Sequence, residues 1–551
     1  MGDVGRGQRK VGSVTYREVG EEYFEQRKLR RHAGVWSLWA LGVGAVISGD
    51  FYGWNFGLST AGFGGLVIAT VIIAIMYYGL CYSIAEMSPA LPHTGGAYSF
   101  ARSAMGPWGG FLTGLAENME YVITPAVVVG AMGLLMQALV IDIFNVTGDP
   151  WWNSEPLWWA IFYVIFVGIN VIGIEATMRF TVIITVLALA VLGIFYVSAL
   201  VSGEFDASLW FNIPQDWDGE TTSQLLADGG GPFLPLGISG IFKALPFAIW
   251  FYLAIEEVPL AAEESMDPRR DVPKGTIWGM HTLVLTGALI LLLNTGVDGG
   301  AGVIGISGTP LFDGFIGIFG EGFAAEVLAL FGLIGLIASF FTIIYAYGRN
   351  TYSLSRAGYF PKWLSITHGE RQTPHVALIA GAVAGYLVAL LVWYLTRQGG
   401  TAAAQVVAAL LYMAVFGAVI SYAMQCLSFI LLRVKLPNIE RPYRSKWGIP
   451  GAAIAGIIAV VSLVTMFTND DYRPGLYGVA AYYVLGVIYF AIAGRHRLVL
   501  SPEEEFALTR GVRGVPEVSY GHSAAEQGAV LRGETGETAP SQAPPEPPMS
   551  S

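Results

Sequence analysis

The chain has 551 residues, 54% of them hydrophobic and only 13% charged, against roughly a quarter charged in an ordinary soluble domain, so a water-soluble globule is excluded. The net charge of −11 lies mostly in polar segments between apolar stretches and near the end of the chain, which excludes a nucleic-acid-binding surface. Cys81 and Cys426 are too few for a disulfide framework or metal cluster, and read as small core residues.

Residues 1–34 are polar and basic (Arg27, Lys28, Arg30, Arg31) and lack the apolar core of a cleavable signal peptide, so the first span is expected to direct insertion. Twelve apolar stretches follow, at about 35–59, 62–87, 107–141, 157–174, 180–201, 237–262, 276–295, 323–347, 376–395, 402–432, 449–467 and 476–493. Each is near the ~20 residues that a helix needs to cross a bilayer. The expected fold is an all-α polytopic membrane protein with 35–495 as its membrane domain. With the N-terminus inside, the connecting segments divide by charge. Arg102, Arg179, Arg269, Arg270, Lys274, Arg349, Arg356, Lys362, Arg371, Arg433, Lys435, Arg441, Arg444 and Lys446 fall on one side, leaving Lys243, Arg397 and Arg473 elsewhere. Basic residues are retained in the cytoplasm, so both termini are expected there. Residues 496–551 turn rich in Glu, Gly, Ser and Pro, and a disordered tail is expected.

Backbone at mid-membrane depth leaves helical geometry only where it lines a cavity or is buried in protein. The first span carries Gly42, Gly44 and then Ser48-Gly49-Asp50-Phe51, a carboxylate inside an apolar helix. The sixth carries Pro246, then Trp250-Phe251-Tyr252-Leu253-Ala254-Ile255-Glu256-Glu257. Two interrupted helices five spans apart suggest inverted halves whose breaks meet at a midplane site. In the third span Glu117 and Glu120 share a face with Asn118 and Tyr121 beside them, and Gly106, Gly110 and Gly114 form a small-residue ridge suited to close helix packing. The seven histidines show no metal-ligand or catalytic spacing, so neither an enzyme nor a cofactor is expected.

Four stretches, taken together and in order, resemble the amino acid, polyamine and organocation (APC) transporter superfamily. They are the glycine-rich first span, Ala85-Glu86-Met87 through Pro92, Gly95, Gly96 and Tyr98, the run from Trp250 to Glu256 with Ala262-Glu263-Glu264 and Asp267 to Pro273, and Arg349-Asn350 with Ser355 to Gly358, Pro361 and Thr373-Pro374. The resemblance covers roughly residues 33 to 495. It implies a LeuT-type inverted repeat of five plus five helices, at about 35–202 and 237–432, with two extra helices at 449–493, and transport by alternating access.

Ser48-Gly49-Asp50 departs from the Gly-x-Gly with which amino acid carriers of this superfamily receive a substrate carboxylate. Two like charges a few Å apart in low dielectric repel by several kcal/mol, so an ionised Asp50 selects an ammonium ligand without a carboxylate. The run from Ser48 to Gly57 is similar to that of bacterial ethanolamine permeases, which implies ethanolamine or a similar small amine; an amino acid permease or exchanger is the alternative. The candidate substrate residues are Ser48, Gly49, Asp50, Phe51, Glu117, Glu120, Tyr121, Trp250, Phe251, Tyr252 and Ala254. Duller readings stay open: Asp50 as a cap for unwound backbone, Glu117 and Glu120 paired with each other or with Arg102, Trp250 as apolar packing, and Glu86 as a scaffold acid. Glu256 and Glu117 are the candidates for coupling or gating, with protons as the candidate ion. The apolar run Thr185 to Ala188, and Ser339 and Thr342 without an adjacent hydroxyl pair, speak against lysine-based proton coupling and a typical sodium site. The partners expected are a small amine and the lipid bilayer; oligomeric state is left open.

Overall fold

The computed structural model describes residues 8–11, 13–17, 19, 23, 26–27, 29–91, 95–144, 150–213, 231–320, 323–399, 401–468 and 472–499. The chain begins with a hairpin, β1 (Gln8–Val11) and β2 (Val14–Arg17). Its helices are α1 (Val35–Val46), α2 (Ser48–Phe51), α3 (Phe56–Ala90), α4 (Ala97–Phe144), α5 (Glu155–Ile172), α6 (Ile174–Val201), α7 (Gly237–Ile249), α8 (Pro268–Asn294), α9 (Gly300–Ile304), α10 (Pro310–Phe319), α11 (Phe323–Arg356), α12 (His375–Gln398), α13 (Thr401–Lys435), α14 (Gly448–Thr468) and α15 (Arg473–Ile492). A 3-10 segment, Ile255–Glu264, follows α7, and β3 (Leu498–Val499) follows α15.

Among the described residues ten helices are long and apolar enough to cross a membrane: α3, α4, α5, α6, α8 and α11 to α15. The remaining two expected spans, the first and the sixth, are the interrupted ones. The first divides into α1 and α2, and the sixth stops at Ile249 before resuming as the 3-10 segment. The protein is an all-α polytopic membrane protein.

Glycines at positive φ separate helices that hydropathy alone runs together. Gly62 (φ 72°) divides the end of the first span from the second, and Gly106 (φ 78°) turns the short lead Ala97 to Met105 into the third span. An L side chain is disfavoured there, whereas glycine has no Cβ to clash. The expected ridge is therefore only partly a packing surface. A Cβ on Gly106 would meet nothing within 4 Å, whereas one on Gly110 would press on Arg102 and one on Gly114 on Leu354. Several helices also outrun their apolar stretches: α11 continues to Arg356 and α8 begins at Pro268, because polar helical turns extend into the aqueous layers.

Helix α4 packs along α11 and α13, α3 along α7 and α8, and α1 between α6 and α8 with α11 alongside. Polar groups buried at one end of this bundle are ion-paired. Arg349, fully buried, donates to both carboxylate oxygens of Glu264 at 3.0 and 2.9 Å, and Tyr345 donates to the same group. Arg356 holds Glu263, and Arg433 and Arg441 hold Glu86. Glu86 is thus a scaffold acid. Both ends of the described chain lie at this same end of the bundle, since β2 pairs antiparallel with β1 and parallel with β3. Residues 496–499 belong to that structure, and the expected disordered tail from 500 onward lies outside the described residues.

Candidate functional site

The break in the first span begins where α1 gives way to α2. Ser48 opens α2, its hydroxyl donating to Ser339 of α11 at 2.8 Å, and Ser339 in turn donates to the Ala45 carbonyl. Next to it, Gly49 is in contact with the sixth-span break: an added Cβ would lie 1.9 Å from the Trp250 carbonyl oxygen. Only glycine permits this approach. Gly49→Ala is therefore expected to force the two broken helices apart, lowering stability by about 1–3 kcal/mol and abolishing transport. A thermal-unfolding measurement beside an uptake assay checks it.

Asp50 is 1% exposed, and its carboxylate has no cationic partner among the described residues, the Thr286 side chain being placed to hydrogen-bond it. Thr286 of α8, Tyr196 of α6 and Tyr252 are its neighbours, with the Tyr196 hydroxyl donating to the Thr286 carbonyl at 2.9 Å. Holding a carboxylate ionised in such surroundings without a counter-charge costs several kcal/mol. Phe51 packs against Gly335 and, with Tyr52, lines a cavity of about 50 Å³ walled by Phe312 and Phe315 of α10 and by Leu336 of α11. The cavity next to the break is thus largely apolar and aromatic.

In the sixth span, Trp250 is half-buried with its indole against Gly53, Phe251 packs on Gly287 and faces the Trp54 ring at 5.6 Å, and Tyr252 sits 5.3 Å from the Tyr77 ring. Ala254 closes the break in the left-handed region at φ 83°, a conformation that costs a non-glycine residue on the order of 1 kcal/mol or more and that clusters at functional sites.

The acids of the third span do not join Asp50. Glu117 and Glu120 of α4 face Glu256 and Glu257 of the 3-10 segment, and all four are at most 1% exposed. Glu117 is held on one side: Asn350 donates to it at 3.1 Å, and the Ala97 and Tyr98 backbone amides at the start of α4 also reach it. Glu120 and Glu256 lie within hydrogen-bonding reach of each other, whereas both oxygens of Glu257 and the Tyr121 hydroxyl have no hydrogen-bond partner among the described residues. Tyr77 and Tyr422 close this cluster, hydroxyl to hydroxyl at 2.9 Å. The proposed pairing with Arg102 does not occur in the contacts seen here, since Arg102 donates to the Val499 carbonyl at 2.8 Å. Two clusters therefore stand where one site was expected: the buried carboxylate of Asp50, and a four-glutamate cluster connected to it through Tyr252 and Tyr77. Sequence reasoning missed Glu257, Tyr77 and Tyr422 as members; the doublet Glu256-Glu257 was the available signal.

The sequence profile of the family described as "Amino acid permease" matches residues 38–498. An uncharacterized transporter of Rhizobium meliloti is 27% identical over 479 residues, covering 85% of this chain and 92% of the relative. The branched-chain amino acid permease BcaP of Bacillus subtilis is 24% identical over 86% of this chain and 95% of its own length. The histidine permease HisP of Lactococcus lactis is 26% identical over 86% and 96%. With two interrupted spans meeting at a buried carboxylate, and a profile match that runs almost the length of the membrane domain, the chain belongs to the amino acid permease family of the APC superfamily and is a transporter rather than an enzyme.

Proposed function

We propose that the protein is a secondary transporter that imports ethanolamine or a similar small organic amine across the bacterial inner membrane, with both termini cytoplasmic. The observation that carries this reading is Asp50, a buried carboxylate without a counter-charge among the described residues, beside the point where the two broken helices touch. An ammonium group supplies the missing charge there, while the free backbone of the sixth-span break offers partners to a substrate hydroxyl. Trp250, against Gly53, stands beside this point, and aromatic faces attract ammonium groups. Rocking of the broken helices against the rest of the bundle exposes the same site to either side in turn.

The glutamate cluster supports proton coupling. Four carboxyls facing one another in low dielectric do not all ionise together; Glu256 and Glu257 are the members on the broken span, and Glu256 is the one that faces both Glu117 and Glu120. Glu117, pinned by Asn350, is the weaker candidate of the two. Glu256→Gln is expected to leave amine binding in place while uptake loses its response to an imposed pH gradient; flux measured at equal and unequal pH in proteoliposomes checks this.

The names of the branched-chain amino acid and histidine permeases favour a second reading, in which the substrate is an amino acid. Binding separates the two. Purified protein is titrated with labelled ethanolamine against unlabelled amino acids. Saturable ethanolamine binding that zwitterions do not displace supports the amine reading. Binding of an amino acid without ethanolamine binding overturns it.

A further inference from the structure

The start of the chain is built into the end of the bundle that carries the buried ion pairs. Val14 and Tyr16 of β2, with Leu498 of β3, are buried in one apolar cluster with Tyr98 and Phe111 of α4, Leu354 of α11 and Phe490 of α15. The Val499 amide donates to the Ala357 carbonyl at 3.0 Å, and at Gly358 (φ 86°) an added Cβ would come 2.2 Å from the Arg497 carbonyl oxygen. Between this sheet and α1 the chain is strapped down again. Arg27, 6% exposed, donates from Nε to the Ser365 hydroxyl at 2.8 Å and from Nη2 to the Lys362 carbonyl at 3.2 Å. Tyr23 donates to the Arg356 carbonyl at 2.6 Å, Tyr352 donates to the Arg27 carbonyl at 2.6 Å, and Thr367 donates to the Gln26 carbonyl from both its amide and its hydroxyl. Closer to α1, the His32 and Ala33 amides donate to the Glu264 carbonyl at 2.8 and 2.9 Å, and the Met266 amide donates to the Ala33 carbonyl at 2.9 Å.

The described residues of this segment therefore hold both broken spans at one end and, at the other, the tail of α11 with the loop that follows it. Beneath it the same seam is bridged by Glu264 to Arg349 and by Glu263 to Arg356. Opening this face moves α1 and the 3-10 segment away from α11, which peels Arg27 and Gln26 from residues 362–367. We infer that the N-terminal segment is a clasp that keeps the terminal face of the transporter closed, anchored by its strand pairing with the residues after the last helix. The clasp sets how often this face opens.

The test uses the full-length purified protein in detergent with Cys81 and Cys426 replaced by alanine. Ser265→Cys, buried at the seam, reports opening of the terminal face through its rate of reaction with a water-soluble maleimide. In a second series Leu336→Cys, buried and lining the cavity beside Phe51, reports the opposite face. Removing the clasp with Arg27→Ala is expected to raise labelling at 265 by about tenfold or more, the factor carried by a lost hydrogen bond to a charged group, and to lower labelling at 336 as the population shifts. Ser365→Ala, which removes the Arg27 partner together with the hydroxyl's bond to the Lys362 carbonyl, and Tyr23→Phe, which removes the hydroxyl that reaches the Arg356 carbonyl, are expected to do the same to a smaller extent, and they carry the test if Arg27→Ala does not fold. Unchanged labelling at 265 in the folded variants overturns the inference. So does a parallel rise at both positions, which is loosening of the whole fold rather than release of a clasp.

Discussion

Asp50→Asn is expected to raise the amine concentration for half-maximal uptake by two orders of magnitude or more. The variant keeps the shape of the side chain and removes only its charge. In a site this buried, deleting one member of a charge pair costs about 3–5 kcal/mol, and each 1.4 kcal/mol is a factor of ten. The unliganded protein should respond the other way. With no counter-charge for the carboxylate among the described residues, the native residue is a cost to the fold, so the variant is expected to unfold at the same or a higher temperature. Weakened transport together with undiminished stability separates a ligand-binding carboxylate from a cap for unwound backbone, whose loss would lower both. Uptake curves and melting temperatures on the same preparations decide it.

The second large effect is expected at Arg349. Its guanidinium and the Glu264 carboxylate are both completely buried and joined by two hydrogen bonds. Arg349→Ala leaves Glu264 charged in the interior, at a cost of about 3–5 kcal/mol, which is a large part of a typical folding free energy. The variant is expected to be recovered poorly or to melt far below wild type. Replacing both residues with methionine should restore much of the lost stability, because well-packed apolar side chains often substitute for a buried pair without loss. The double variant should still transport badly, since the bridge across the seam between the sixth span and α11 is gone. A melt of the two single variants and the double variant measures the coupling; a double-variant loss equal to the sum of the two single losses would show that the pair contributes nothing as a pair.

Much of the architecture was legible in the sequence because the membrane imposes it. Apolar length marked every span, and the two breaks announced themselves through Asp50 in one and Pro246 with Glu256 in the other, residues that an unbroken lipid-facing helix does not tolerate. The ends of the helices were less legible. Residues 348–356 of α11 are polar and helical, and hydropathy registers only the part that meets lipid. The terminal sheet was not legible at all: Gln8–Val11 and Val14–Arg17 are short, and what makes the second a strand is a partner near residue 498. At the candidate site, the identity of Asp50 and of the sixth-span aromatics could be read locally. The separation of Glu117 and Glu120 from Asp50 could not. Their spacing puts them on one face of α4, but which element that face meets depends on how α4 packs against the 3-10 segment. Tyr77 and Tyr422 were missed for the same reason, being 345 residues apart in sequence and neighbours only through tertiary packing.

Flux under a controlled voltage tests the central claim, that a buried carboxylate at the broken helices passes a small cationic amine. Purified protein is reconstituted in proteoliposomes, a potential negative inside is imposed, and labelled ethanolamine uptake is followed with and without excess neutral amino acids. A cation gains ~2.3 kcal/mol per 100 mV on entry. Saturable uptake driven by the potential, unaffected by the amino acids and lost in Asp50→Asn, is the predicted result. Amino acid uptake without ethanolamine flux, undiminished in Asp50→Asn, would contradict it.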